Sequence, residues 1–394
     1  LDVTRIAVRN TAIDRGVDVD ASAFTTDAAA VVADADVDVV VEVMGGIEPA
    51  RELVSAALSA GKPVVTANKE LLANHGAELY EAAEAAGVDL LFEAAVAGAI
   101  PIMRPLRESL AGEPITRVMG IVNGTTNFIL SRMADDGVSY ADALAEAQGL
   151  GYAERDPTAD VEGFDAGAKA AIIATVAFGA RVVAGDVYHE GISGITVADI
   201  EFAADLQHCI KLLAVVEQTR ASDGGLQIGV RVHPTLVPLD HPLASVRGSF
   251  NAVFVEGGAS GDLMFYGRGA GGRPTASAVL GDLIDAAGNL RRGHGAPIGA
   301  LERARIAPID DVTSAFYLNV EVDDRPGVLA QVATVFGENG VSIRSMEQEG
   351  LGGEARLVFI THAARERDLR STLQGLRSLD AVRAVGSVLR VIGD

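Results

Sequence analysis

Between residues 151 and 169 the chain reads GYAERDPTADVEGFDAGAK, placing Glu154, Asp156, Asp160, Glu162 and Asp165 within twelve positions and ending on Lys169. Lysine is scarce: of 32 basic residues only Lys62, Lys69, Lys169 and Lys211 are lysine. Arginine holds its proton inside a protein, whereas the lysine ammonium is tuned by burial and is a compact donor. Asp165 and Lys169 are four residues apart, so on a helix they share one face. One reading is an exposed ion pair worth roughly 0.3–0.5 kcal/mol. The other is a reactive cation held by a carboxylate. Gly149 and Gly151 bracket the approach, and Ala166 and Ala170 beside the lysine are expected to leave room for a small molecule. An amino-acid substrate needs carboxylates for its ammonium group, and this stretch supplies them. A positioned ammonium polarises a carbonyl oxygen and protonates it as hydride arrives. Lys169 suits that role, with Asp165 setting its position.

Residues with such roles need rigid elements behind them. The periodicity predicts a helix over 164–179, fed by the rigid Asp156-Pro157-Thr158 turn. In the first hundred residues, apolar segments at 3–9, 38–44, 63–68 and 88–96 read as strands, with helices PARELVSAALSAG and HGAELYEAAEAAG between them. That alternation predicts an α/β, doubly wound parallel sheet, whose ligands lie at the strand carboxyl ends. Gly45-Gly46 and Thr66-Ala67-Asn68-Lys69 mark two such ends. No GxGxxG occurs near the N-terminus, so 3–9 reads as the second strand of a truncated nucleotide-binding domain. It ends at Arg9, which suits the 2′-phosphate of NADP better than the ribose of NAD; an exposed loop arginine is the other reading.

From about 115 to 295 strands and helices cease to alternate, which predicts an α+β substrate domain with helices near 127–148, 164–179 and 199–217. The glycine-dense run 266–287 includes Gly271 and opens a helix near 275–290, expected to complete the nucleotide domain. The last eighty residues read strand, helix, strand, strand, helix, strand. The expected division is therefore 1–112, 113–295, a linker over 296–315, and 316–394.

A formal charge of −22 over 394 residues disfavours nucleic acid and anionic membranes as partners. No apolar run is long enough to cross a bilayer. The single cysteine, Cys209, expected on a helix as a small core residue, suits a reducing cytoplasm. LDVTRIAVRN has neither an initiator Met nor a leader and reads as a fragment boundary.

EVMGGIEPA (42–50), VVTANKELLA (64–73), FEAAVAGAIPI (92–102), GIVNGTTNFIL (120–130), GYAERDPTADVEGFDAGAKAAI (151–172) and YGRGAGGRPTASAVLGD (266–282) together resemble the homoserine dehydrogenases. These NAD(P)-dependent enzymes interconvert aspartate 4-semialdehyde and homoserine on the route to threonine, methionine and isoleucine. DDRPGVLAQVATVFGENGVSI resembles the ACT regulatory domain, which often binds amino acids at the loop after its first strand. The resemblance implies Lys169 as proton donor, Asp165 and Glu154 as substrate contacts, and Asp160 completing an acidic wall. It places Lys69 between cofactor and substrate, and Gly45, Gly151 and Gly271 at the cofactor. Glu93 with the backbone of Val96, Gly98 and Ile100 matches a monovalent-cation site for sodium or potassium. Asn123 to Asn127 would lie beside the substrate pocket, or form an Asn-Gly turn capping a helix. Threonine is expected near Arg325 to Leu329, and a homodimer or homotetramer is implied, with the substrate domain also serving dimerisation. The family's N-terminal glycine-rich loop is missing. Two other readings stay open: a catalytically silent ACT-type amino-acid sensor, and a dehydrogenase of another amino-acid semialdehyde.

Overall fold

The computed structural model describes residues 1–221, 223–295, 301–303, 305–350 and 352–393. Part of the expected linker, 296–300 and 304, lies outside the described residues. The chain divides into two compact units: Leu1–Glu113, Ala171–Gly185 and Gly267–Ala304 form the first, and Pro114–Ala170, Asp186–Tyr266 and Arg305–Asp394 the second.

The first unit is built on short parallel strands. β1 (Ile6–Ala7) pairs with β2 (Phe24–Thr25), and β3 (Val40–Glu42), β4 (Val64–Thr66) and β5 (Leu90–Leu91) form a separate sheet in that order. Each residue of β4 is fully buried, as a central parallel strand covered on both faces requires. The intervening helices are α1 (Ala28–Ala33), α2 (Ala50–Ser59) and α3 (Lys69–Ala86). A far later helix, α9 (Gly272–Arg292), packs on the same sheet: its Ala286 clusters with Val65 and Leu91, with Val279 and Leu283 against them. Two expected strands are shorter than the sequence pattern suggests. The segment 3–9 pairs only at Ile6–Ala7, and 88–96 leaves the sheet after Leu91 for a 3-10 turn at Glu93–Ala95. The carboxylate of Glu93 is drawn onto the backbone N–H groups of residues 102–104, which turns the chain away from the sheet. A last pair, β7 (Ala180–Arg181) with β13 (Glu302–Arg303), is parallel as well.

The second unit carries one large mixed sheet. β6 (Ile115–Ile121), β9 (His208–Arg220), β10 (Leu226–Pro238), β11 (Phe250–Gly257) and β12 (Gly261–Arg268) make one half, ordered β12-β11-β6-β9-β10. The short β8 (Tyr188–His189) pairs with β10 off this path. The other half is the βαββαβ module: β14 (Thr313–Asp323), α10 (Val328–Glu338), β15 (Ile343–Gly350), β16 (Glu354–Thr361), α11 (Glu366–Arg377) and β18 (Val382–Val391), with a short β17 (Ala364–Arg365) beside β14. Its order β18-β14-β16-β15 encloses a core around Phe316, Phe336 and Phe359. β18 pairs in parallel with β10, Thr235 opposite Arg390, so both halves share one hydrogen-bonded sheet.

Two helix expectations in this unit fail. The segment 199–217 divides into helix α8 (Val197–Asp205) and strand β9, so Cys209 lies on a strand; residues 210–216 are buried without alternation because β9 is a central strand. The segment 127–148 is two helices, α4 (Gly124–Asp136) and α5 (Tyr140–Gly149). Gly137, at φ 65°, ends α4 in a left-handed turn, and the Ser139 hydroxyl caps α5. The short α6 (Thr158–Val161) leads into α7 (Phe164–Phe178). Among the described residues no helix is long and apolar enough to cross a membrane.

Candidate active site

The site begins where β6 ends. Asn123 leaves the strand with extended backbone and becomes the N-cap of α4, its Oδ1 accepting from Thr126 N at 2.9 Å. The preceding carbonyl, Val122 O, accepts from Lys169 Nζ at 2.6 Å, and the same ammonium donates to Asp165 Oδ2 at 2.7 Å. Lys169 and Asp165 are 8% and 9% exposed, so this is a buried pair and not the solvated surface pair that its spacing alone permits. An ammonium has three N–H directions. Among the described residues these two acceptors occupy two of them.

The carboxylates separate into groups. Asp160 and Asp165 are joined through one amide: Asn123 Nδ2 donates to Asp160 Oδ1 at 2.7 Å and to Asp165 Oδ2 at 2.8 Å. Glu154 stands apart, exposed in the turn after α5, where its backbone carbonyl accepts from Gln148 and its carboxylate bonds neither Asp165 nor Lys169. Gly151, at φ 77°, opens that turn. Ala166 and Ala170 do not leave an open space beside the lysine, because both are buried against protein. Thr125, a residue without an individual role in the sequence reading, donates its hydroxyl to Tyr152 O at 2.6 Å and ties α4 to the Gly151 turn.

The first unit holds the remaining candidates. Gly45 and Gly46 follow β3 at φ 73° and 74°, a left-handed pair accessible to glycine without strain. Glu42 sets this turn, accepting from Met44 N, Gly45 N and the Thr66 hydroxyl. Lys69 is exposed in the first turn of α3. Gly271, at φ 121°, precedes the 21-residue α9 without a side-chain cap, so that helix offers free N–H groups to an anion. These features fit a phosphate-bearing cofactor. Arg9 is exposed after β1 and makes no hydrogen bond among the described residues.

Glu93, 7% exposed, spends its carboxylate on the backbone: Oε1 accepts from Ile102 N at 2.5 Å and Met103 N at 2.7 Å, and Oε2 from Arg104 N at 3.0 Å. Asp282 on α9 accepts from Glu93 N at 2.7 Å and pairs with Arg104 at 3.0 Å; burial pushes its carboxyl up to about 6. Ala97 and Gly98 both have positive φ, and a Cβ at Gly98 would lie 2.3 Å from Gly269 O. The carbonyls of Val96, Gly98 and Ile100 accept no hydrogen bond among the described residues. Oxygens left free in this way fit a hard cation.

The scarce lysines now separate by role. Lys62 donates to Val32 O and Asp34 O, and Lys211 donates to Val246 O and Asn127 Oδ1, with burial lowering its pKa. Both donate to backbone carbonyls, whereas Lys169 is paired with the Asp165 carboxylate inside an acidic cluster.

Parallel strands with an open glycine turn, a buried lysine beside carboxylates and a βαββαβ module fit a nicotinamide-dependent oxidoreductase. Family profiles match "Homoserine dehydrogenase, NAD binding domain" over residues 1–93, "Homoserine dehydrogenase" over 101–284 and "ACT domain" over 316–381. A homoserine dehydrogenase of Corynebacterium glutamicum is 57% identical over 372 residues, covering 94% of this chain and 84% of that protein. The crystal structure of a homoserine dehydrogenase from Thiobacillus denitrificans superposes with a TM-score of 0.91 at 42% identity, covering 99% of this chain and 90% of the other. A hyperthermophilic archaeal homoserine dehydrogenase mutant in complex with NADPH superposes at 0.58 and 33% identity, over 67% of this chain and 76% of the other. The chain belongs to the homoserine dehydrogenase family.

Proposed function

We propose that this chain reduces L-aspartate 4-semialdehyde to L-homoserine with Lys169 as the acid. The observation that carries the reading is the buried ammonium held by Asp165 Oδ2 and Val122 O. When bound, the nicotinamide supplies hydride to the aldehyde carbon. Lys169 presents its remaining N–H to the aldehyde oxygen, polarises it and releases a proton to it as negative charge develops. Asp165 holds the ammonium in place and aimed. The carboxylates of Asp160, Asp165 and Glu154 offer partners for the substrate ammonium, with Glu154 brought in from its exposed turn.

On the cofactor side, Lys69, Gly45, Gly151 and Gly271 would hold the dinucleotide, with the open N-terminus of α9 taking a phosphate. Arg9 favours NADP over NAD, because an exposed guanidinium beside a strand end suits a 2′-phosphate. The structural relative whose complex contains NADPH supports the same choice. A sodium or potassium ion would sit on the carbonyls of Val96, Gly98 and Ile100, with Glu93 shaping the turn. Threonine would bind near Arg325 to Leu329, where Gly327 leaves the N-terminus of α10 without a side-chain cap. We also assign the division 1–112, 113–295 and 316–394 to cofactor, substrate and regulation, and expect a homodimer or homotetramer. The single cysteine supports a reducing, cytoplasmic setting.

Product analysis tests the reaction. NADPH consumption with L-aspartate 4-semialdehyde should yield homoserine, and other amino-acid semialdehydes should give a much lower kcat/KM. Equal turnover of an unrelated semialdehyde, or none with any, would overturn the assignment in favour of the broader dehydrogenase or the silent sensor.

A further inference from the structure

We infer that Asn123 is a positioning residue for the reaction, and that its side-chain amide holds two carboxylates at the separation Lys169 requires. This rests on the assignment of Lys169 as acid. The amide is 5% exposed and fully committed. Its Oδ1 accepts from Thr126 N at 2.9 Å and from the Thr126 hydroxyl at 3.1 Å, fixing which end of the amide faces the carboxylates. Its Nδ2 donates to Asp160 Oδ1 at 2.7 Å and to Asp165 Oδ2 at 2.8 Å. Two carboxylates on one nitrogen are close neighbours, and like charges at such separations drive one of the pair to take up a proton. Placing one N–H on each oxygen offsets that repulsion.

The second half of the argument is the peptide just before it. Val122 O takes the Lys169 ammonium at 2.6 Å, and Asp165 Oδ2 takes the same ammonium at 2.7 Å while accepting from Asn123. One dipeptide at the end of β6 thus supplies the carbonyl that aims the acid and the amide that aims the acid's counter-ion. A capping asparagine needs only its oxygen. Here the nitrogen is used too, and used on charges from elements 37 and 42 residues away in sequence. Helix capping does not require that arrangement.

The two uses separate by substitution. Asn123→Ser keeps a capping oxygen and loses the bridge; Asn123→Asp keeps the oxygen and the size and adds a third carboxylate to the cluster. In Asn123→Ser we expect kcat to fall about 10²-fold, the scale of a misplaced catalytic group, while the thermal midpoint stays close to that of the unsubstituted protein. In Asn123→Asp we expect a loss at least as large, with the acid limb of the kcat profile moved to higher pH, since a protonated cluster no longer holds the ammonium. If Asn123→Ser retains kcat and pH profile, or if both variants lose stability and activity in proportion, Asn123 is a cap and nothing more. If Lys169→Ala retains turnover, the assignment of the acid fails first. If Lys169→Ala is inactive and Asn123→Ser is normal, only the present inference fails.

Discussion

Two clusters of buried charge lie in the second unit, and they use different cations. At the site, Lys169 on α7 meets Asp165 within its own helix and Asp160 through Asn123. At the seam between β10 and β18, Arg390 donates to both oxygens of Glu190, at 2.9 and 3.0 Å, and its Nε donates to Glu366. Burial works against the Arg390 charge, but the two carboxylates outweigh it and hold its pKa above the ordinary arginine value. For Glu190 the balance also favours the ion, because burial is outweighed by the Arg390 contacts; for Glu366 burial prevails and its pKa is raised. The seam needs a permanent planar cation that bridges two acids. Under the proposed reaction the site needs a cation that can give its proton away. The choice of residue follows from that difference.

The largest effect expected from breaking the contrast is at Lys169. Lys169→Arg keeps the charge and removes a transferable proton, so kcat should fall by about 10²–10⁴-fold, with the folded protein otherwise intact. Steady-state assays with circular dichroism as a control check this. Next is Arg390→Met, which leaves Glu190 and Glu366 facing a missing partner. Unfolding in urea should show a loss of about 3–5 kcal/mol, the scale for stranding buried charge. Turnover by its folded fraction should change far less than in Lys169→Arg.

A smaller effect sharpens the contrast through pH. His233 is buried close to the seam, its Nδ1 2.8 Å from the Thr235 hydroxyl; burial, then Arg390 and Arg231, hold its pKa well below 6.5. The unfolded chain therefore binds a proton that the native state refuses. Stability from this group is present above pH 6.5 and falls as pH drops below it, by at most about 1.4 kcal/mol per unit. Urea unfolding from pH 7.5 to 5.5 should show that slope, and His233→Gln should flatten it. The smallest effect is expected at an exposed pair, Arg181 with Glu81. Arg181→Ala should change stability by about 0.5 kcal/mol or less, because solvent screens both charges.

What the sequence revealed and what it hid follow the same physics. Asp165 and Lys169 were legible because four residues on a helix fix their relation without any knowledge of the rest of the fold. The βαββαβ order of 316–394 was legible for a similar reason, since each element carries its own period and its own turn residues. Strand β9 was hidden: Leu212 to Val216 is an unbroken apolar run, which a buried strand and a buried helix share. The break at Gly137 was overlooked because the apolar pattern continues on both sides of it. The second role of Asn123 had no local signal at all. An Asn-Gly step announces a turn and a cap, whereas the bridge to Asp160 and Asp165 exists only once β6 and α7 are packed together. Glu93 shows the same limit, since its carboxylate is used on backbone groups that sequence spacing does not identify.

The central claim is that one buried amine hands its proton to the aldehyde. It is tested most directly by comparing single-turnover NADPH oxidation in the Lys169→Ala protein with that of the unsubstituted protein, at saturating L-aspartate 4-semialdehyde, with substrate binding measured separately by calorimetry. The account predicts that the oxidation rate falls by about 10² or more while binding weakens only modestly. An unchanged rate, or a loss carried entirely by weaker binding, would contradict it.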